Sequence, residues 1–449
     1  MAFSRLRLVF TSVFLLVSTP LIAQNVLFKS ANVLDIESGK FNKNQDVLVR
    51  GGKIVSIGSL KARPEMITIA STGKYLVPGF TEMHAHVRPS WGGDSKLHEH
   101  LFLFNAFGIT TIRGMLGHPS HLKVRQQLKN NEISGPRLIT SGPSFNGNSV
   151  VSKGQAAKRA KAQFEKGYDF IKIHPGMSDA EFQGVAKQAR ALKFDFSGHV
   201  TAETGILKSI ELGQGTIEHL DGIFAELSLR SGNRNVSSMG FFGTGLVNTI
   251  DRKHIKRLAS ELAQSNVHLI PTQTMVWGFM SPEKPSELAK KPKYKLMTDS
   301  ELNNWKRTKT RIQNDEYYSK ELIAEYMSIR LEFLKEYIQA GGRILLGADA
   351  PQVFNIPGES LHEEMIWMRD AGMSPIEILR STTIQPAKFF KRESEFGSIK
   401  VGKSADLVLL DANPLDDISN TREIAGVMTR GMWLSKSEIG KRLADMRRR

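Results

Sequence analysis

Two histidines one residue apart, in Gly79-Phe80-Thr81-Glu82-Met83-His84-Ala85-His86, begin the chemistry of this chain. The run Tyr75-Leu76-Val77-Pro78-Gly79-Phe80 reads as a buried strand entered through a Pro-Gly turn. Residues i and i+2 of a strand share one side. His84 and His86 therefore face one point in space, as two ligands of one metal must. Four further residues sit at the carboxyl ends of other expected strands: Lys172, His199, His219 and Asp349. Lys172 stands out because a lysine inside an apolar strand is costly to bury unpaired, and its ammonium would repel a metal. A lysine carboxylated by carbon dioxide removes both problems, since the carbamate is anionic and can bridge two cations; the other reading is a buried ion pair. His174, two residues on, faces the same way and either donates to a substrate carbonyl or carboxylate or packs at the rim. Arg113 either pairs with a substrate carboxylate or makes a rim ion pair. Glu218-His219 is no fragment of a zincin site, because HExxH is absent.

These side chains need a scaffold that brings strand ends together. Strands are expected near Leu76–His86, Ile109–Arg113, Arg137–Ser141, Phe170–His174, Phe194–His199, Gly215–His219, Val267–Pro271 and Arg343–Asp349, with amphipathic segments between them. Eight strands alternating with helices predict a closed (β/α)₈ TIM barrel, whose catalytic groups gather at the carboxyl ends of its strands. A doubly wound open sheet is the alternative. Outside this region, Val26–Phe28, Ala31–Asp35, Asp46–Arg50, Ile54–Gly58, Ala405–Asp411 and Ile424–Thr429 alternate in the β manner and predict a small β-sandwich built from both chain ends. The expected division is 1–23 signal peptide, 24–77 first sandwich part, 78–392 barrel, and 393–449 second sandwich part with tail. A charged stretch at about 278–330 reads as an insertion, either a lid over the site or a solvated excursion.

Arg5 and Arg7, the apolar run Leu8–Ile22 and a small residue at Ala23 make the signal-peptide pattern. The protein is thus expected in the periplasm or secreted, with an uncleaved N-terminal anchor as the alternative and no membrane span after cleavage. The 449 residues contain no cysteine, which removes disulfides, thiolate ligands and a cysteine nucleophile. The net charge of +16 comes from scattered lysines and arginines without a nucleic-acid motif, so anionic envelope surfaces are a better match than RNA or DNA.

The order HxH, fourth-strand Lys172, fifth-strand His199, sixth-strand His219 and eighth-strand Asp349 resembles the amidohydrolase superfamily in its binuclear form. Within it, the chain is similar to the imidazolonepropionase-like group that includes prolidase-like and Xaa-Arg-type dipeptidases. The resemblance implies one metal on His84, His86 and Asp349, a second on His199 and His219, and carboxylated Lys172 with a hydroxide between them. Zinc is the default for such a His-rich set. It further implies hydrolysis of C–N bonds in dipeptides or N-acyl amino acids, with the bridging hydroxide attacking and Asp349 as general base and acid. A lactonase or esterase using the same site, and a catalytically silent metal-containing binding protein, are the competing functions. Small-molecule or dipeptide substrates are the expected partners, alongside self-association into a homo-oligomer.

Overall fold

A computed structural model describes residues 25–88, 94–236 and 240–447. The segment read as a signal peptide lies outside the described residues. No helix among the described residues is long and apolar enough to cross a membrane.

The fold is mixed α/β. Its middle contains eight parallel strands: Phe80–Ala85, Ile109–Gly114, Arg137–Thr140, Ile171–Ile173, Phe196–Gly198, Thr216–Glu218, His268–Ile270 and Arg343–Ile344. The first three pair in one sheet and the last five in another, each strand beside its neighbours in the chain. Parallel bridges cross both seams. Ser141 meets Phe170 and Phe145 meets Ile173 between the third and fourth strands, while Ala85 meets Ala350 beyond the eighth. The second seam is reinforced by Met83 N donating to Leu346 O (2.9 Å), Asp349 N to His84 O (2.8 Å) and His86 N to Ala350 O (2.8 Å). These strands are short and apolar because both faces are covered, as parallel strands require. The crossover helix Asp179–Leu192 shows how sequence sets an element. Ser178 and Glu181 form its capping box, Lys193 ends it at φ 51°, and Phe182, Val185, Ala186 and Ala189 form its buried face. That face packs with Ala156 and Ala160 of helix Lys153–Glu165.

Both chain ends pair into one sheet of eight strands. Its order is Met432–Ser435, Ile424–Thr429, Leu407–Leu410, Tyr75–Pro78, Val26–Asp35, Lys40–Arg50 and Lys53–Gly58, with Ile67–Ala70 also pairing Val26–Asp35. The strands Ile67–Ala70 and Met432–Ser435 were not anticipated. The run Leu76–His86, read as one strand, is divided at Gly79: Tyr75–Pro78 joins the terminal sheet and Phe80–Ala85 the parallel one. A Cβ at Gly79 would lie 2.2 Å from Thr110 Oγ1, so a glycine is needed where the chain passes between sheets. Phe28 and Trp433 are four strand spacings apart along the terminal sheet, roughly 19 Å. Their rings nevertheless meet at 5.2 Å, so the sheet bends over on itself.

The charged stretch after the seventh strand is helical and packed. It contains helices Gln273–Met280, Pro285–Leu288 and Asp299–Gln313, followed by Lys320–Gln339. Tyr294 and Trp305 bring it onto Phe354, with ring centroids 5.1 and 5.7 Å apart.

Candidate metal centre

His84 lies in the first parallel strand and His86 just past its end. Asp349 follows the eighth strand across the seam. His86 Nε2 is 2.7 Å and His84 Nε2 3.6 Å from the same oxygen, Asp349 Oδ1. That oxygen is buried, and neither imidazole is aligned with it as a hydrogen-bond donor. Ligand atoms of the three residues lie within 4.8 Å of one another. From here the imidazoles continue in an arc: His86 to His84 (centroids 5.7 Å), His84 to His219 (4.7 Å), His219 to His199 (4.7 Å) and His199 to His174 (5.0 Å). His219 Nδ1 is 3.9 Å from Asp349 Oδ2.

Lys172 is 1% exposed and its Nζ has no hydrogen-bond partner. Burial pulls its amine down to about 8. Burial first, and then the Lys172 charge among others, holds His84 and His219 well below the usual imidazole range. Burial likewise takes His174 to about 2. Neutral imidazoles are the form that ligates metal. Gly198 makes room for Lys172: a Cβ there would meet Lys172 Cδ at 3.0 Å and Ile173 O at 2.3 Å, and its φ of 133° suits glycine. The structure thus gathers His84, His86, Lys172, His199, His219 and Asp349, with His174 at the end of the arc.

Three of the histidines spend Nδ1 on a fixed partner. His84 Nδ1 is 2.8 Å from Glu218 Oε2, His199 Nδ1 2.5 Å from Asp221 Oδ2, and His219 Nδ1 2.8 Å from Thr272 Oγ1. Such partners set the tautomer and aim of a ligating histidine. Sequence reasoning missed Glu218, Asp221 and Thr272 in this role. Their signal was local: Glu218 and Asp221 flank His219, and Thr272 follows the seventh strand. Backbone strain collects here as well, with φ of 61° at His219, 48° at Thr272 and 64° at Asp349. Non-glycine residues enter this region only where the surroundings compel it. A buried amine without a hydrogen-bond partner, a buried carboxylate oxygen close to two imidazoles, and histidines with oriented rings together make a donor set that fits divalent cations.

Arg113, expected either at a substrate carboxylate or in a rim ion pair, is enclosed within the fold. It is 1% exposed, and its Nη1 donates to Thr216 Oγ1 (3.1 Å) and to Glu218 Oε1 (3.4 Å). The guanidinium lies 4.4 Å from the Phe170 ring centre and 5.3 Å from that of Phe389. As the fifth residue of a fully buried six-residue strand, it is enclosed by neighbouring strands instead of reaching the rim. Its task is to balance Glu218, which holds His84. Burial raises the Glu218 carboxyl while Arg113 and Lys172 oppose the rise. Glu218→Gln should therefore lower unfolding free energy by about 3–5 kcal/mol, the cost of leaving one member of a buried pair without its counter-charge. Urea unfolding measures this, and adding Arg113→Met should return part of the loss.

Arg330, from helix Lys320–Gln339, braces the same strand ends. It donates from Nη1 to His219 O (2.8 Å), from Nη2 to Pro271 O (2.8 Å) and from Nε to Gln273 Oε1 (2.5 Å). Tyr326 OH in turn donates to Phe242 O (2.8 Å), and the Phe242 ring lies 5.3 Å from that of His219. Arg330→Met removes the donor from three buried acceptors, His219 O, Pro271 O and Gln273 Oε1. It should cost about 3–9 kcal/mol, at about 1–3 kcal/mol for each unsatisfied group, read as a lower thermal midpoint. Beside His199 and Phe242 opens a cavity of about 410 Å³.

The amidohydrolase family model matches residues 75–434, and the chain belongs to that family. Imidazolonepropionase of Treponema denticola is 39% identical over 87 residues, 18% of this chain and 20% of that protein. The matched stretches span only 11–32% of the length of the curated relatives. Among solved structures, bottromycin amidohydrolase superposes with TM-score 0.74 at 19% identity, over 94% of this chain and 89% of that one. A Xaa-Pro dipeptidase with methionine bound in its active site superposes with TM-score 0.63 at 18% identity, over 92% and 100%. At these identities the likeness is one of fold.

Proposed function

We propose that this chain is a metal-dependent hydrolase of carbon–nitrogen bonds, acting on dipeptides or N-acyl amino acids. The observation that carries the reading is Lys172, a fully buried amine without a hydrogen-bond partner beside an arc of histidines that ends at His86, whose Nε2 is 2.7 Å from Asp349 Oδ1. The scaffold in this reading is a closed barrel, supported by parallel bridges at both seams. Beside it lies a sandwich from both chain ends, supported by the Phe28–Trp433 contact. The N-terminal segment makes the periplasm or the exterior the proposed address.

His84, His86 and Asp349 would hold one ion, His199 and His219 the other, and Lys172, as a carbamate, would serve both; zinc suits the donors. Bound ions of this kind supply a water that is nucleophilic near neutral pH and polarise the scissile carbonyl. Asp349 Oδ1 takes the proton released as water adds to the amide carbon. It returns that proton to the leaving nitrogen as the C–N bond breaks, giving a carboxylic acid and an amine, and transfer of the acid proton to the amine leaves a carboxylate and an ammonium. Glu218, Asp221 and Thr272 keep the imidazoles aimed throughout, which spares reorganisation during the reaction.

The test is turnover by the zinc-loaded protein on a dipeptide and N-acyl amino acid panel, with lactones and esters run in parallel. Amide cleavage that disappears on chelation and returns with zinc is the expected result. Cleavage of lactones alone would replace the amide reading with the esterase one, and no cleavage at all would favour a binding protein.

A further inference from the structure

The cavity beside His199 is lined by segments that follow the fourth, fifth and sixth parallel strands. Its walls are apolar, with Ile206, Phe224, Leu229, Phe241 and Phe242 among them. The charged side chains of its described lining are two acids, Asp221 and Glu226. Both are already engaged: Asp221 holds His199 Nδ1 at 2.5 Å, and Glu226 Oε1 accepts from Arg230 Nε at 2.8 Å. Thr201, a further polar group there, donates to Thr204 Oγ1 at 2.9 Å.

We infer that this cavity receives one side of the scissile amide, and that the group it takes is bulky, apolar and uncharged. This specificity rests on the hydrolase reading of the adjoining centre. A carboxylate entering here would lose its hydration, find no cationic side chain in the described lining, and face the Asp221 and Glu226 carboxylates. An ammonium would lose its hydration too, against two acids that already have basic partners in His199 and Arg230. An aryl or branched alkyl group loses nothing and gains contact with the aromatic wall. At about 410 Å³ the cavity falls within the range of small-ligand sites, about 300–1,000 Å³. The substrates are therefore amides with a hydrophobic arm, and the free carboxylate of a dipeptide does not enter this side.

The probes are acetanilides and N-methylbenzamides bearing 4-tert-butyl, 4-aminomethyl or 4-carboxylate groups, which present each arm from either side of the amide. Turnover is measured with the zinc-loaded protein. Binding is measured by titration calorimetry on the zinc-loaded Asp349→Asn variant, so affinity is read without cleavage. The expected order is tert-butyl, then aminomethyl, then carboxylate, with at least tenfold between first and last in at least one series. Ala225→Trp, which fills the cavity, should weaken the tert-butyl member at least tenfold. Ala202→Lys, at an exposed position on the lining, should improve the carboxylate member by a similar factor. Equal or better use of the carboxylate or aminomethyl members overturns the inference, as does binding of no member. Ranked binding without cleavage of any amide leaves the cavity assignment standing and removes the hydrolase reading instead.

Discussion

Asp349→Asn lowers kcat on amide substrates by about 10²–10⁴-fold, the usual contribution of a positioned proton acceptor, and leaves the protein folded with most of its metal. Asparagine preserves the shape of the side chain and one carbonyl oxygen for a cation. It cannot take the proton released at attack, nor deliver one to the leaving nitrogen. The backbone around residue 349 is held independently of the carboxylate, by Asp349 N on His84 O and by Glu82 Oε1 accepting from Ala348 N at 2.7 Å. The fold should therefore survive the change. Metal content by plasma emission, a thermal midpoint and kcat on the best amide separate the outcomes. Wild-type turnover would remove Asp349 from proton transfer. Loss of both metal and turnover would make it a ligand whose charge matters more than its basicity.

Lys172→Met also spares the fold and abolishes activity, but it loses metal. The wild-type amine is buried without a partner, so the metal-free protein bears an uncompensated desolvation cost. Methionine fills nearly the same volume without it. The metal-free variant should melt at or above the wild-type temperature, bind markedly less zinc, and lose amide turnover. Incubation with ¹³C-bicarbonate and zinc should give a carbamate resonance in the wild type that is absent from Lys172→Met. A stable variant that keeps full metal and activity would make Lys172 a structural residue and overturn the bridging role.

Six residues of the centre were legible in the sequence, and for one reason. Each stands at the carboxyl end of a short apolar run, where a polar or charged side chain has no structural excuse. Lys172 in Phe170-Ile171-Lys172-Ile173 is the plainest case. His84 and His86 follow from strand alternation alone. The eight-strand alternation was equally readable, because a buried parallel strand and an amphipathic helix leave different periods. Two terminal strands escaped. Ile67–Ala70 is four residues long, and its pairing with Val26–Asp35 is non-local.

Tertiary structure decided the rest. Arg113 could have stood at the rim or inside, since sequence does not say which neighbours close over a strand. The fold encloses it between two phenyl rings and turns it to Glu218. Strict alternation would send Glu218 and His219 to opposite faces. The left-handed backbone at His219 brings both into the site, one as the partner of His84 and the other within the imidazole arc. The partners of the histidines, the Arg330 brace and the Phe242 ring are supplied by segments distant in sequence or by a change of backbone hand. Composition and period carry local information: which residues are anomalous and which way a regular strand faces. Contacts between segments far apart in the chain depend on packing, and packing alone assigned each imidazole its partner and the cavity its apolar wall.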